Sequence, residues 1–182
     1  MRTAYLGLGS NLGDRWAHLR AAVAGLDDAK AVRVTACSPV YETEAHTTDP
    51  DEEQPPYLNA VLEVAVDCSP EQLLRLAKRL EHAEGRTGNS KRWAPRPLDV
   101  DLLVVGADQR RSDRLTLPHP RLADRRFVLR PWADLAPDVR VPPPFDATVQ
   151  DLLAACTDST EIRRVNGALD TAVSSSPPDG PE

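Results

Sequence analysis

Residues 57–84 read YLNAVLEVAVDCSPEQLLRLAKRLEHAE and combine two hydrophobic periods. Apolar side chains occupy every second position from Leu58 to Val66, which is the period of a β-strand. From Leu73 onward they recur three and four positions apart, which is the period of an amphipathic helix. Ser69 and Gln72 match a capping box, so the helix is expected to begin between them. The segment therefore predicts a strand that leads directly into a helix.

Further strands and one further helix are predicted on either side of this segment. Residues 3–9 alternate as a half-buried strand, residues 32–41 are rich in β-branched side chains but interrupted by Pro39, and residues 98–105 alternate again. Asp14 is placed to cap an amphipathic helix. The order β-α-β-β-α-β predicts an α+β, ferredoxin-like fold, with an antiparallel sheet and both helices on one face. The other face is predicted to be open, so it needs a further cover or a ligand.

The C-terminal part of the chain gives weaker patterns. Residues 107–145 predict a loop-rich extension with a short helix near 123–133, and residues 149–155 predict a further turn or two of helix. Residues 1–166 are therefore expected to form one domain. The Ser, Pro and Asp content of residues 167–182 predicts a disordered tail.

The composition disfavours several classes of protein. Hydrophobic residues make up 41% of the chain and charged residues 27%, and no apolar run is long enough to cross a bilayer. A formal net charge of −6 and an aromatic content of 4% disfavour a nucleic-acid-binding protein. The N-terminal residues lack the pattern of a signal peptide. We therefore predict a cytoplasmic protein without membrane or nucleic-acid partners, and we expect a monomer.

The strand at 98–105 presents two acidic side chains on one face. Its apolar face is predicted to carry Leu98, Val100, Leu102 and Val104. Asp99 and Asp101 share the other face, about 6–7 Å apart along the strand. Mg²⁺ prefers oxygen ligands and usually takes one or two carboxylates together with substrate phosphates. Taken alone, however, an Asp-x-Asp pair is more often a solvated strand face.

A basic loop precedes this strand and favours the functional interpretation. The loop carries Arg86, Lys91, Arg92 and Arg96 without an intervening acid. A magnesium nucleotide satisfies both sets of charges, because its phosphates bind the metal and the arginine forks. Trp93, in the same loop, is suited to stack on a base or ribose, and a hydrophobic lid is an equally good interpretation.

Other nucleotide-binding motifs fail. No GxxxxGK[ST] is present, which argues against a P-loop kinase. Leu12 occupies the third glycine position of a GxGxxG pattern, which argues against a Rossmann dehydrogenase. Gly7, Gly9 and Gly13 are therefore interpreted as part of a tight strand-to-helix turn rather than as phosphate contacts.

A second set of basic residues follows a proline-rich segment, Leu-Pro-His-Pro at 117–120. His119 in this segment either points its imidazole at a phosphate or holds a loop. At least one of Arg121, Arg125 and Arg126 is expected to reach the ligand if the segment covers the open sheet face.

These motifs together resemble one known family. The strongest run is RWAPRPLDVDL at 92–102, and four other segments agree: GLGSNLGDR at 7–15, YLNA at 57–60, EHAEGR at 81–86 and LTLPHP at 115–120. Over residues 3–141 the sequence resembles 6-hydroxymethyl-7,8-dihydropterin pyrophosphokinase. The resemblance implies transfer of a pyrophosphoryl group from ATP to a reduced pterin in folate biosynthesis.

The resemblance also implies a role for individual residues. Two Mg²⁺ ions would bind to Asp99 and Asp101 together with ATP. ATP binding is implied for Glu81, Arg86, Arg92, Trp93, Arg96, Thr116, His119 and Arg125. Pterin binding is implied for Thr43, Tyr57, Asn59, Trp93 and Phe127. The catalytic set would be Arg86, Arg96, Asp99 and Asp101.

Two other functions stay open at this point. One is a non-catalytic ferredoxin-like module that binds a small metabolite or RNA on its sheet face, although the low aromatic content and negative charge disfavour RNA. The other is a related pyrophosphokinase with a different acceptor. The segment at 43–48, which differs from the proline-rich run of many relatives, keeps this second alternative open.

Overall fold

The computed structural model describes residues 1–45, 54–85 and 95–169, and its central sheet is antiparallel. The first elements are β1 (Arg2–Ser10), α1 (Arg15–Asp27), β2 (Val32–Cys37), β3 (Tyr41–Thr43), β4 (Tyr57–Val66), α2 (Pro70–Ala83) and β5 (Asp99–Val105). Strand β1 lies between β4 and β5, while β2 and β3 both pair with β4. The predicted combination of helices with an antiparallel sheet is confirmed.

Helices α1 and α2 begin where the sequence predicts. Asp14 Oδ1 accepts a hydrogen bond from Ala17 N at 3.0 Å, and Ser69 and Gln72 form the reciprocal bonds of a capping box. Both helices pack on one face of the sheet. The fully buried side chains of this first core include Leu6, Leu19, Leu26, Leu62, Leu73 and Leu98.

The predicted strand at 32–41 is divided into two, because the ladder to β4 is interrupted at Ser38. Ser38 N donates to Val61 O at 2.9 Å, and Ser38 Oγ accepts from Val61 N at 2.8 Å. The Ser38 hydroxyl thus replaces a backbone carbonyl as the acceptor for Val61 N. The next residue, Pro39, has no N–H that could continue the ladder. Strand β3 then pairs with the first residues of β4, which brings Thr43 opposite Tyr57.

The second face of the sheet, which the two helices α1 and α2 leave open, is covered over part of its length by the chain after β5. The chain after β5 forms β6 (Arg110–Arg111), β7 (Thr116–Leu117), a 3-10 turn (Leu122–Asp124), α3 (Arg126–Leu135), β8 (Arg140–Val141), β9 (Ala147–Thr148), α4 (Val149–Ala155) and β10 (Ile162–Arg164). Helices α3 and α4 form a second core with this face. Trp132 is fully buried there, with its ring centroid 5.0 Å from that of Tyr5. The two helices pack on this face because doing so buries apolar side chains of the sheet such as Val61 and Leu103.

A bulge in β5 changes the predicted face of Val104. Tyr5 pairs with Val104 and Leu6 pairs with Leu102, so Leu103 is the additional residue. As a result Val104 lies in the second core and Val105 in the first. The bulge follows the two acidic residues, and the predicted common face of Asp99 and Asp101 is unaffected by it.

The packing of the domain continues into the segment predicted to be a tail. Strand β10 pairs with β3, and Leu169 is 4% exposed within the first core. The domain packing therefore extends through Leu169, three residues beyond the predicted boundary at 166. The rest of the predicted tail, 170–182, lies outside the described residues. Across residues 1–45, 54–85 and 95–169, no helix is both long and apolar enough to cross a membrane.

Candidate active site

A cavity of about 250 Å³ opens on the second face of the sheet, at one end of its strands. Because β1 runs antiparallel to β4 and β5, the C-terminal half of β1 meets the N-terminal ends of the other two. Helix α3 and the turn before it form the opposite wall. The polar and aromatic side chains that line the cavity are Thr43, Glu44, Gln54, Tyr57, Asn59, Arg96, Asp99, Asp101, Arg121, Arg125 and Phe127.

Glycines of β1 form part of the cavity floor. Gly9 pairs with Asn59 on one side and with Asp99 on the other, and Gly7 pairs with Asp101. A Cβ atom added at Gly9 would lie 3.5 Å from Asn59 Oδ1 and 4.0 Å from Asp99 Cβ. The interpretation of Gly7 and Gly9 as turn residues is therefore wrong, because β1 continues through both positions. Gly13, the third glycine of the predicted turn, does lie in the turn after β1 and has a positive φ of 67°.

One end of the cavity is built from a buried amide and aromatic rings. Asn59 is 5% exposed, and its Nδ2 donates a hydrogen bond to Thr43 Oγ1 at 2.9 Å. This bond fixes the amide, so that its Oδ1 lies beside the floor at Gly9. Tyr57 and Phe127 line the same cavity from β4 and α3. Four of the five predicted pterin residues are thus brought together, and the arrangement suits a flat, polar-edged ligand.

The other end of the cavity carries acids paired with arginines. Arg96 Nη1 donates to Asp99 Oδ2 at 3.2 Å, and Arg125 Nη1 donates to Asp101 Oδ2 at 2.7 Å. The two carboxyl side chains are 27% and 31% exposed, so both acids remain accessible from the cavity. Guanidinium and carboxylate groups at one site can bind a polyphosphate and its metal ions together.

His119 lies beside the acidic end with a defined orientation. Its Nδ1 accepts a hydrogen bond from Arg121 N at 3.2 Å, so the proton of the neutral ring is on Nε2. Nε2 is 4.0 Å from Asp101 Oδ2. Burial, followed by the charge of Arg125, lowers the pKa of His119 below its ordinary value, although the nearby acids act in the opposite direction. The imidazole is therefore neutral near pH 7 and directs an N–H toward the acids.

Two further residues of the predicted ATP-binding set, like His119, lie outside the cavity lining. Glu81 is 2% exposed on α2, where it accepts hydrogen bonds from Val100 N and Lys78 Nζ, each at 2.9 Å. Burial raises the pKa of Glu81 above its ordinary value. Since Val100 lies between the two acids, Glu81 supports their strand from the helix side. Thr116 lies in β7, where it pairs with Arg111 of β6.

Three predicted residues, Arg86, Arg92 and Trp93, lie outside the described residues. Their assignment to ATP or pterin stays a prediction.

Asn11 is a residue of the site region that the sequence analysis missed. It is fully buried, and its Oδ1 accepts from Arg96 N at 2.7 Å while its Nδ2 donates to Pro55 O at 3.2 Å. It therefore joins the segment before β5 to the segment before β4. Glu44 and Gln54 were also missed, since neither lies in a recognisable pattern.

Potential metal ligands in this region come mainly from Asp99 and Asp101. Across the described ranges 1–45, 54–85 and 95–169, no group of three or more His, Cys, Asp and Glu side chains is placed to hold a metal ion. An ion bound by the two acids would therefore need further oxygen ligands from water or from a substrate, as is usual for Mg²⁺.

Residues 5–137, which include most of the cavity-forming segments, match the sequence profile described as 7,8-dihydro-6-hydroxymethylpterin-pyrophosphokinase. The chain belongs to this family. It is 41% identical over 138 residues to 2-amino-4-hydroxy-6-hydroxymethyldihydropteridine pyrophosphokinase of Bacillus subtilis (strain 168), a match that covers 75% of this chain and 79% of the relative. The enzyme of the same name from Methylorubrum extorquens is 39% identical over 165 residues, covering 91% of this chain and 99% of the relative.

The fold is also similar to a solved structure. Wild-type HPPK-DHPS of Plasmodium falciparum with pteroate gives a TM-score of 0.64 at 14% sequence identity. The match covers 84% of this chain and 42% of that chain, so the present chain spans less than half of that protein. At this identity the likeness supports the pyrophosphokinase fold alone. The profile of the pyrophosphokinase family ends before α4 and β10, although β10 is part of the main sheet.

Proposed function

We propose that this cavity is where the chain transfers a pyrophosphoryl group from ATP to the hydroxymethyl group of 6-hydroxymethyl-7,8-dihydropterin. Pyrophosphoryl transfer from ATP to this pterin, a step of folate biosynthesis, is the activity of the family to which the chain belongs. The observation that supports our assignment is the row of residues Asn59, Gly9 and Asp99 across three neighbouring strands. Their spacing of about 4.8 Å per strand separates an amide from an acid by about 10 Å, with a glycine floor between them.

The amide end is proposed to bind the pterin. The Asn59 amide offers one acceptor and one further donor hydrogen to a pterin edge, after its bond to Thr43 is counted. Tyr57 and Phe127 supply aromatic contact surface for the ring. Arg125 lies 5.7 Å from the centroid of Phe127 and next to Asp101, so the aromatic wall leads directly to the charged end.

The charged end is proposed to bind the triphosphate with two Mg²⁺ ions on Asp99 and Asp101. The donor set fits this metal, since both ligands are hard carboxylate oxygens on one strand face and both are reachable from the cavity. Bound Mg²⁺ would neutralise phosphate charge as it develops during transfer. Arg96 and Arg125, which pair with the acids in the described structure, are proposed to turn toward phosphate oxygens when the nucleotide binds.

The reaction that this arrangement supports is an in-line displacement at the β-phosphorus of ATP. A bond forms between the pterin hydroxymethyl oxygen and the β-phosphorus, the bond from that phosphorus to the α–β bridging oxygen breaks, and AMP leaves. The hydroxyl proton is released to solvent. The residues bind and orient both substrates and compensate charge, while the neutral His119 can donate its Nε2 proton in a hydrogen bond to a phosphate oxygen.

The finer description of the fold is part of this proposal. The strand order β5-β1-β4-β2, with α1 and α2 on one face, supports the ferredoxin-like arrangement predicted from the sequence. A cytoplasmic location and a monomeric state stay predictions.

Product analysis with matched variants tests the assignment. The protein is incubated with ATP, Mg²⁺ and the reduced pterin, and the products are separated chromatographically. AMP and the pterin diphosphate are expected, and activity should be lost on chelation of Mg²⁺ and return on its addition. Asp101→Asn is expected to lower kcat/KM about 100-fold or more, whereas Asp108→Asn, which removes a surface partner of Arg2, should leave it unchanged.

Two results would contradict the proposal. ADP as the nucleotide product would exclude attack at the β-phosphorus. Near-normal turnover by a folded Asp101→Asn variant, with circular dichroism like that of the wild type, would exclude the metal assignment.

A further inference from the structure

Arg15, the first residue of α1, makes two contacts at the edge of the protein, away from the cavity lining. Its Nη1 lies 2.9 Å from Glu42 Oε2 and donates a hydrogen bond to Pro56 O at 2.7 Å. The side chains of Arg15 and Glu42 are 27% and 19% exposed. The guanidinium therefore connects two separate chain segments with charge-assisted bonds.

The two segments that Arg15 joins lead directly into the pterin end of the cavity. Glu42 precedes Thr43, and Pro56 precedes Tyr57. Thr43 and Tyr57 are register partners in the β3–β4 ladder and line the cavity. Arg15 thus holds the residue immediately before each member of this pair.

The Glu42 side chain, which Arg15 contacts, and the Thr43 side chain, which lines the cavity, lie on opposite faces of the sheet. Successive side chains of a strand point to opposite faces. Thr43 faces the cavity, while Glu42 pairs with Leu58, a residue of the first core on the helix side. Arg15 therefore acts from the α1 side and is not part of the cavity lining.

Helix stability does not explain an arginine at this position. A positive charge in the first turn of a helix is unfavourable, because the N-terminal end of the helix dipole is itself positive. Beyond the N-cap residue Asp14, whose Oδ1 accepts from Ala17 N, the first turn of α1 contains no acidic residue. The favourable contacts of Arg15 are instead those to Glu42 and Pro56.

A second arginine holds the same carboxylate from the C-terminal strand. Arg163 of β10 pairs with Glu42 in the ladder, and its Nη2 donates to Glu42 Oε1 at 2.7 Å. The hydrogen bond from Arg163 is the largest cause that lowers the pKa of Glu42, and Arg15 acts in the same direction. Glu42 is therefore ionised at neutral pH and is bound on both oxygens.

We propose that Arg15 is a positioning residue that fixes Thr43 and Tyr57 for pterin binding, acting through Glu42 and the Pro56 carbonyl. The inference rests on the proposed pterin end of the cavity. Loss of the Arg15 contacts allows β3 and the start of β4 to separate at their last pair, which weakens binding of the pterin but leaves the phosphate-binding end in place.

Steady-state kinetics of the full chain tests this inference with Arg15→Gln. The KM for the reduced pterin is expected to rise about fivefold to tenfold, as for the loss of one partly exposed charge-assisted hydrogen bond. The KM for ATP and kcat should stay within about twofold of wild type. Arg15→Lys keeps a positive charge near Glu42 and should recover part of the pterin affinity. Arg140→Gln, which removes a distant exposed pair with Asp146, is the matched control and should change nothing.

One further variant separates failure of the inference from failure of the proposed site. Asn59→Ala should raise the KM for the pterin if the cavity assignment is correct. If Asn59→Ala raises it and Arg15→Gln does not, the positioning role is wrong. If neither variant changes it, the proposed pterin end is wrong.

A purely structural role gives a different result. It would lower the melting temperature of Arg15→Gln without a selective change in the KM for the pterin, and this outcome would overturn the inference. Should Arg15→Gln not fold, Glu42→Gln removes the same ion pair and must show the same selective rise. An unchanged KM for the pterin in that variant would overturn the inference equally.

Discussion

Gly9→Ala should affect stability and activity in opposite directions. Gly9 lies in β1 without a positive φ, so alanine can adopt its backbone conformation. The new Cβ would be 3.5 Å from Asn59 Oδ1 and 3.6 Å from Tyr57 Cδ1, which are ordinary van der Waals distances. A compatible glycine-to-alanine change stabilises a protein by about 0.4–1 kcal/mol through the unfolded chain. The melting temperature should therefore rise by about 1–4 °C.

The same methyl group should impair catalysis, because it stands on the cavity floor between the amide and the acid. Forcing an additional methyl group into an occupied, well-packed site costs about 1–3 kcal/mol. This cost corresponds to a fall in kcat/KM of roughly 5-fold to 150-fold. The measurements are differential scanning calorimetry and steady-state kinetics with ATP and the reduced pterin.

Gly13→Ala is the matched control for this prediction. Gly13 has a φ of 67° and lies in the exposed turn after β1, so alanine there is strained by about 1–2 kcal/mol. It should lower the melting temperature and leave both KM values unchanged. If Gly9→Ala instead retains kcat/KM within twofold of wild type, the row of Asn59, Gly9 and Asp99 does not carry the ligands and the proposed site is misplaced.

Two further predictions concern stability. The pKa of Glu42 is lowered in the folded state, so its contribution to stability is present above the unfolded pKa of 4.5 and is lost as the pH falls through the folded pKa. The difference in unfolding free energy between wild type and Glu42→Gln should therefore shrink from pH 7 to pH 3, as measured by urea titration. A constant difference would contradict the ion-pair interpretation. Leu169→Ala should lower the free energy of unfolding by about 2 kcal/mol, since Leu169 is buried in the first core. The control is Ala168→Ser at the exposed neighbouring position. Equal stability of both variants would show that the domain packing ends before Leu169.

The sequence by itself determined the features that depend on neighbouring residues. The capping box at Ser69 and the cap at Asp14 each consist of hydrogen bonds between residues three positions apart, and both form as predicted. Asp99 and Asp101 line the same cavity because a strand has a period of two. Tyr57 and Asn59 line it for the same reason. The motifs that indicate the family are likewise short runs of adjacent residues, so the sequence alone was sufficient to predict the family.

Only the tertiary structure decided features that depend on residues far apart in the chain. The break at Ser38 requires Val61, and the bulge at Leu103 is visible only from its register against β1. The cover of the second sheet face requires α3 and α4, whose apolar sides gain more from burial there than from exposure.

The residues that surround the candidate site could likewise not be predicted from local sequence patterns. Asn11 joins segments that precede two different strands, and Arg15 contacts Glu42, which lies 27 positions further along the chain. Gly9 is recognised as part of a cavity floor only because Asn59 and Asp99 lie on either side of it. A local pattern predicts which face a side chain occupies, whereas long-range strand pairing and packing decide which other side chains it meets.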